Sequence, residues 1–156
     1  MSKRKKFLLE EDQIPTQWYN IQADMPNKPL PPLNPATRKP LSAEDLAHIF
    51  NEECSRQELD QEHAWIDIPE EVQDKYRYYR STPLVRAYAL EKALDTPAHI
   101  YFKNESVNPL GSHKINSPLP KCSYCKLEGT TNVTPEPGAG HWGPAFSYAA
   151  SDDDMQ

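Results

Sequence analysis

Asn108-Pro-Leu-Gly-Ser-His-Lys-Ile-Asn116 sets a lysine directly after a histidine, just past a glycine turn. A strand-like run, His99-Ile-Tyr-Phe-Lys-Asn104, precedes it, and the spacing predicts a helix opening at Ser112. The free N–H groups of a helix N-terminus bind phosphate. An amine beside such a site is what pyridoxal phosphate (PLP) chemistry needs: the lysine links to the aldehyde and the helix end holds the phosphate. The alternative is a lysine merely solvated at a helix start, and this stretch by itself leaves both readings open.

The surrounding text narrows the choice. Arg80-Ser-Thr-Pro-Leu84, Arg86-Ala87, Leu90-Glu-Lys-Ala-Leu94 and Thr96-Pro-Ala-His-Ile-Tyr-Phe-Lys-Asn-Glu105 lead into the lysine stretch, and Glu136-Pro-Gly-Ala-Gly-His-Trp-Gly143 follows it. In that order they resemble the beta chains of tryptophan synthase, PLP enzymes of the fold-type II group. The later stretch is similar to that family's Glu-Thr-Gly-Ala-Gly-Gln-(His or Trp)-Gly. Phe7-Leu-Leu-Glu-Glu-Asp-Gln-Ile-Pro15, Trp18-Tyr-Asn20, Pro29-Leu-Pro-Pro-Leu33 and Pro35-Ala-Thr37 resemble the N-terminal extension of the type-2 subgroup.

The resemblance implies site residues. Lys114 is the attachment lysine, with His113 at the cofactor phosphate and Asn116 supporting the lysine's neighbourhood. Glu136 is the catalytic carboxyl: one group over the cofactor face can handle the proton at serine's hydroxyl and the proton lost from indole. Gly138, Ala139, Gly140, His141 and Trp142 form the loop for the substrate carboxylate, where small residues let backbone N–H groups converge on an anion. The implied reaction joins L-serine and indole to give L-tryptophan and water, with PLP as the electron sink. An amine near its reference value of about 10.4 is a poor nucleophile at neutral pH, so burial and neighbouring positive charge are expected to activate Lys114. Glu105 and Asn108 are expected to shape the loop ahead of it.

Several positions depart from the family. Ser117-Pro118 stands for Thr-Ala, Pro120 follows, Pro137 replaces the carboxylate-loop threonine, and His141 the usual glutamine. Pro118 is expected within the first turns of the lysine-bearing helix, where interior proline would cost about 3 kcal/mol or more. The family's glycine-rich phosphate loop is absent from these 156 residues. The chain therefore reads as a truncated N-terminal part of a longer enzyme, expected to be inactive by itself and to show no stable cofactor absorbance. Two alternatives remain: another fold-type II enzyme such as threonine or cysteine synthase, or a non-catalytic, vestigial interaction protein.

Composition supports that frame. Hydrophobic residues make up 37%, below the usual ~45–50%. Sixteen prolines are present, about double the ordinary ~5%. Net charge is −6, which argues against a nucleic-acid partner. Ser2-Lys-Arg-Lys-Lys6 reads as a solvated terminus. No apolar run approaches the ~20 residues of a membrane span, and Phe7-Leu8-Leu9 runs into acidic residues rather than a signal peptide. A cytoplasmic protein is expected, with a homodimer in full-length form and a tryptophan synthase alpha chain as the further partner the family implies. Cys54, Cys122 and Cys125 are too few and too ill-spaced for a disulfide framework or a zinc site, so Cys122-Ser-Tyr-Cys125 reads as helix packing and no metal is expected.

The expected fold class is α/β. Residues 1–40 form an extended Pro-rich arm with six prolines between Pro26 and Pro40, docked through Trp18, Tyr19, Leu30 and Leu33. Residues 41–156 form the partial α/β region. In it the spacing predicts a helix capped at Ser42 and running to about Gln61, and another from Pro69 to Tyr79. A short helix over 87–94, a buried strand over 100–103 and one continuous helix over 112–127 closed by Gly129 come next. A short strand over 131–134 and a helix opening at Gly143 complete the pattern.

Overall fold

The apolar residues Val72 and Tyr76 are four apart, and Leu119 and Cys122 three apart, so each pair shares one helical face. In the computed structural model, which describes residues 4–136 and 140–155, these faces meet. Helix α3 (Glu70–Tyr79) packs on α5 (Pro118–Leu127), and α5 packs on α6 (Trp142–Asp152). Ala145 and Ala149 are fully buried on α6, and their small side chains let it approach α5 closely. Ile68, Ile115, Ala150 and Met155 complete the core. A fully buried Leu or Ile contributes about 1.5–3 kcal/mol relative to exposure, so this cluster dominates the packing energy.

Strands are short and pair antiparallel. β1 (Lys6–Phe7), β4 (Leu84–Arg86) and β5 (Tyr101–Lys103) form one sheet in the order β1-β4-β5, with Phe7 opposite Leu84 and Val85 opposite Phe102. β2 (Gln17–Tyr19) and β3 (Trp65–Asp67) form a second, with Trp18 opposite Ile66. The remaining helices are α1 (Ala43–Ala47), α2 (Glu52–Leu59) and α4 (Tyr88–Ala93). The architecture is mixed helix and strand, compatible with part of an α/β protein.

Within residues 4–40 the backbone makes β1, β2, two 3-10 turns (Glu11–Gln13 and Ile21–Asp24) and a bridge between Leu33 and Pro40. Asn20 Nδ2 donates to the carbonyls of Asp60 and His63 at 2.7 and 3.1 Å, and Gln61 Nε2 donates to Pro29 O at 2.7 Å. Trp18 packs against the core, whereas Leu30 is 90% exposed.

Four expectations fail for identifiable reasons. The helix from Ser42 begins as expected, with a reciprocal Ser42–Asp45 capping box, but breaks after Ala47. Asn51 restarts it: its Oδ1 accepts from Cys54 N at 2.7 Å and its Nδ2 donates to Lys121 O at 3.2 Å. The Glu128 carboxylate also caps α2, accepting from Glu52 N and Glu53 N at 3.0 and 3.2 Å. The strand over 101–103 is exposed, not buried, because β5 lies at the sheet edge and pairs only with β4. Residues 131–134 form no strand, having no ladder partner among the described residues. The predicted 112–127 helix is two pieces, a 3-10 turn over His113–Asn116 followed by α5.

Pro118 and Pro120 account for that last break without penalty. They occupy the first and third positions of α5, where a helix has no intrahelical use for the N–H. The expected cost of an interior proline therefore does not arise. Gly129 closes α5 at φ +79°, as expected.

Candidate active site

Lys114 sits on the 3-10 turn, half-buried, with fully buried Ile115 as its neighbour. The turn is fixed from both sides. Ahead of it, buried Asn108 accepts from Leu110 N and Ser112 N at 3.0 and 3.2 Å and donates to Ser112 O at 2.9 Å. Its amide also donates to Glu105 Oε2 at 3.2 Å, and Thr82 Oγ1 donates to Glu105 Oε1 at 2.6 Å. The Lys103 ammonium donates in turn to Thr82. Gly111 adopts φ +62°, a left-handed conformation that glycine reaches without strain. Burial pulls the Glu105 carboxyl upward, but bonds from Thr82 and Asn108 and the charges of Lys103 and Arg80 outweigh it and hold it below the usual carboxylate range. Glu105 and Asn108 thus shape this loop as expected.

Behind the turn stand two tyrosines of α3 that sequence reading did not single out. Tyr76 donates to Asn116 O at 2.7 Å, and Tyr79 donates to Asn116 Oδ1 at 2.8 Å. Asn116 Nδ2 donates to His113 O at 2.9 Å. Burial pushes the Tyr76 hydroxyl up to about 12 and the Tyr79 hydroxyl higher still, so both remain protonated donors. The only sequence signal for them was Val72-x-x-x-Tyr76-x-x-Tyr79 on one helical face, which reads as ordinary core.

Among the described residues, the Lys114 ammonium makes no hydrogen bond or ion pair, and neither does the exposed His113 ring. A half-buried amine on a fixed turn suits covalent attachment of an aldehyde cofactor. The phosphate grip expected of the following helix is not assembled, because Pro118 and Pro120 remove two of the first three N–H groups of α5. His113 is next to Lys114 in the chain, and its ring is exposed.

Glu136 lies elsewhere. It is exposed, its carboxylate is unpartnered among the described residues, and it lines an open groove of about 760 Å³ between the α1–α2 junction, α5 and α6. Phe50, Lys121, Trp142 and Phe146 line the same groove, and Lys114 does not. Trp142 meets Phe146 edge-on with ring centroids 5.0 Å apart, and the Lys121 ammonium lies 5.3 Å from the Trp142 ring centre. Exposed His141 precedes α6, its carbonyl accepting from Ala145 N at 3.2 Å. Gly140 is exposed with open space where a side chain would stand. Gly138 and Ala139, with Pro137, lie outside the described residues. Asn116 is thus hydrogen-bonded to His113 on the turn that carries Lys114, and Glu136 lines one groove with Trp142.

Cys122 is fully buried in α5, where burial pushes its thiol up to about 12, in keeping with a packing role. Among the described residues no group of three or more His, Cys, Asp or Glu side chains is placed to hold a metal, and no helix is long and apolar enough to cross a membrane.

Sequence comparison gives these pieces a common context. The chain is 46% identical over 151 residues to tryptophan synthase beta chain 2 of Methanosarcina mazei, covering 97% of this chain and 34% of that protein. It is 48% identical over 152 residues to the Aquifex aeolicus protein of the same name, covering 97% and 35%. The Thermotoga maritima protein is 48% identical over 143 residues, covering 92% and 34%. Over this stretch the chain is related to tryptophan synthase beta chain 2. It spans about a third of the length of the curated relatives it matches. No family model matches it. At this identity the relatedness extends across the segments that carry both Lys114 and Glu136.

Proposed function

We propose that this chain supplies the lysine-bearing part of a fold-type II, PLP-dependent tryptophan synthase beta chain, which condenses L-serine with indole to give L-tryptophan. The observation that carries the reading is 46–48% identity to such chains across nearly the whole sequence, joined to a lysine amine that has no partner among the described residues, on a turn fixed by hydrogen bonds. When bound, PLP supplies an electron sink for the bonds at the amino acid's α-carbon. Lys114 holds the cofactor through its Nζ. His113 donates to the phosphate, and Asn116 keeps the turn closed.

Glu136 moves the protons, giving one to the departing serine hydroxyl oxygen and accepting one from the indole ring. Gly138, Ala139 and Gly140 present backbone N–H groups to the serine carboxylate. His141 and Trp142 border that loop. Pro137 offers that carboxylate neither N–H nor hydroxyl, which weakens its hold compared with a threonine. Residues 1–40 act as a docking arm on the 41–156 region, the complete protein works in the cytoplasm as a homodimer, and an alpha chain is its further partner.

The test uses the chain as it stands. The protein is mixed with PLP, reduced with borohydride and mapped by peptide mass spectrometry. Borohydride captures a transient imine, so preferential labelling of Lys114, lost in Lys114→Ala, is expected even where no stable cofactor absorbance develops. Labelling spread evenly over exposed lysines such as Lys92 overturns the reading. It would favour a non-catalytic interaction protein on this scaffold, for which the supporting observation is that Lys114 does not line the groove that holds Glu136.

A further inference from the structure

We propose that Tyr79 is a positioning residue for Lys114, acting through the side-chain amide of Asn116. The inference rests on Lys114 being the cofactor lysine, and it names a residue outside the lysine motif. Tyr79 is on α3, 35 positions before the lysine, and its hydroxyl donates to Asn116 Oδ1 at 2.8 Å. A half-buried tyrosine hydroxyl held in its protonated form is a fixed donor. It therefore selects one of the two orientations of the Asn116 amide, with the oxygen toward α3 and the nitrogen away from it. In that orientation Nδ2 donates to His113 O at 2.9 Å.

The His113 carbonyl belongs to the peptide group that enters Lys114. Pinning it sets the plane from which the lysine's Cα–Cβ bond departs. Tyr76 performs the matching task three peptides later, donating to the Asn116 carbonyl at 2.7 Å, while fully buried Ile115 anchors the turn between them. With both ends of the turn tied to α3, the backbone from which the Lys114 side chain departs is held in one orientation. Proximity and orientation are where attachment chemistry gains most, since misplacement of a reacting group by about 1 Å can cost 10²-fold.

Removing the Tyr79 hydroxyl leaves the ring packing in place and frees the amide to turn over. The turn then samples orientations in which His113 O is unpinned. Loss of a hydrogen bond worth about 1 kcal/mol corresponds to about a five-fold change in population. Tyr78, next in sequence and 81% exposed, makes no contact with Asn116 and serves as the control.

The experiment compares the unmodified chain, Tyr79→Phe, Asn116→Ala, the double variant and Tyr78→Phe. Two readouts are taken: the borohydride-trapped PLP label at Lys114 relative to Lys92, and amide hydrogen exchange at Lys114 and Ile115 by NMR. Tyr79→Phe is expected to lower the label ratio about five-fold and to speed exchange on the turn, while exchange in α6 stays as it was. The effect should vanish when Asn116 is already alanine, which a general loss of packing would not do. Tyr78→Phe should match the unmodified chain.

If the unmodified chain labels Lys114 preferentially and Tyr79→Phe matches it in both readouts, the positioning role is wrong while the cofactor reading stands. If the unmodified chain shows no preference for Lys114, the cofactor reading fails, and unchanged exchange in Tyr79→Phe then rejects the tie to the turn as well. Should Tyr79→Phe not fold, Asn116→Ala carries the test, since it removes the same link from a half-buried site.

Discussion

The turn carrying Lys114 and the segment carrying Glu136 are held very differently, although the two are only 22 positions apart. Around Lys114, backbone groups are claimed by side chains: buried Asn108 from one side, and from the other buried Tyr76 directly and half-buried Tyr79 by way of the Asn116 amide. Around Glu136 the chain has no regular structure, and the carboxylate is exposed without a partner among the described residues. The lysine turn is tied to α3 and packs against both α5 and α6. The carboxylate's surroundings are not assembled by the described residues. A side chain that would hold a cofactor in one place needs a rigid platform. A group that must give up and regain a proton needs a substrate over it, and the geometry around Glu136 does not yet provide a place for one beside Lys114.

That contrast is most exposed to test at Ile115, fully buried inside the lysine turn. Ile115→Ala should cost about 2–5 kcal/mol, from lost transfer energy plus a cavity, and urea denaturation would measure it. A cost under about 1 kcal/mol, typical of surface positions, would mean the turn is not part of the core. Asn108→Ala comes next. It leaves Ser112 O and the amides of Leu110 and Ser112 without their partner, for an expected loss of about 1–3 kcal/mol. Lys114 labelling should fall with it. Unchanged labelling would show that the amine is placed without help from that loop.

What could be read in the sequence follows from how local each cause is. The cap at Ser42, the start of α3 after Pro69 and the left-handed stop at Gly129 depend on residues within four positions, and all were legible. The break before α2 was not, because Asn51 and Glu128 act together across 77 positions. The break at Pro118 was legible in principle, since proline prefers a first helical position, but the helical pattern around it masked that signal. Asn116 was visible through its motif. Tyr79 was hidden by its own position, because a tyrosine on an apolar face looks like core until its hydroxyl's partner is seen. On the carboxylate side, the resemblance brought Glu136 into the site, and no local feature of Thr131–Glu136 forecast how it would be placed.

Acid should sharpen the comparison from the lysine side. Glu105 has its carboxyl held below the ordinary value of about 4.3. A carboxyl lowered by folding stabilises the native state fully above that ordinary value and loses the contribution as pH falls through the lowered one. Stability should therefore decline below about pH 4 with a component that Glu105→Gln removes. The variant should be less stable at neutral pH and should converge on the parent in acid. Parallel curves for the two proteins would separate Glu105 from the lysine loop.

The smallest effect belongs to the other region. Glu136→Gln removes a charge that no described residue engages, so stability should change by no more than about 0.5 kcal/mol. PLP labelling of Lys114 should also stay constant, because Glu136 and the amine do not share a groove. A null result in both assays is informative when Ile115→Ala and Asn108→Ala are large, since it places the asymmetry in the molecule and not in the measurement. A stability loss above about 1 kcal/mol, outside the surface range, would mean that Glu136 has a structural partner. Altered labelling would mean that the carboxylate reaches the lysine in solution, so that the two halves of the site close on each other more readily than their separation implies.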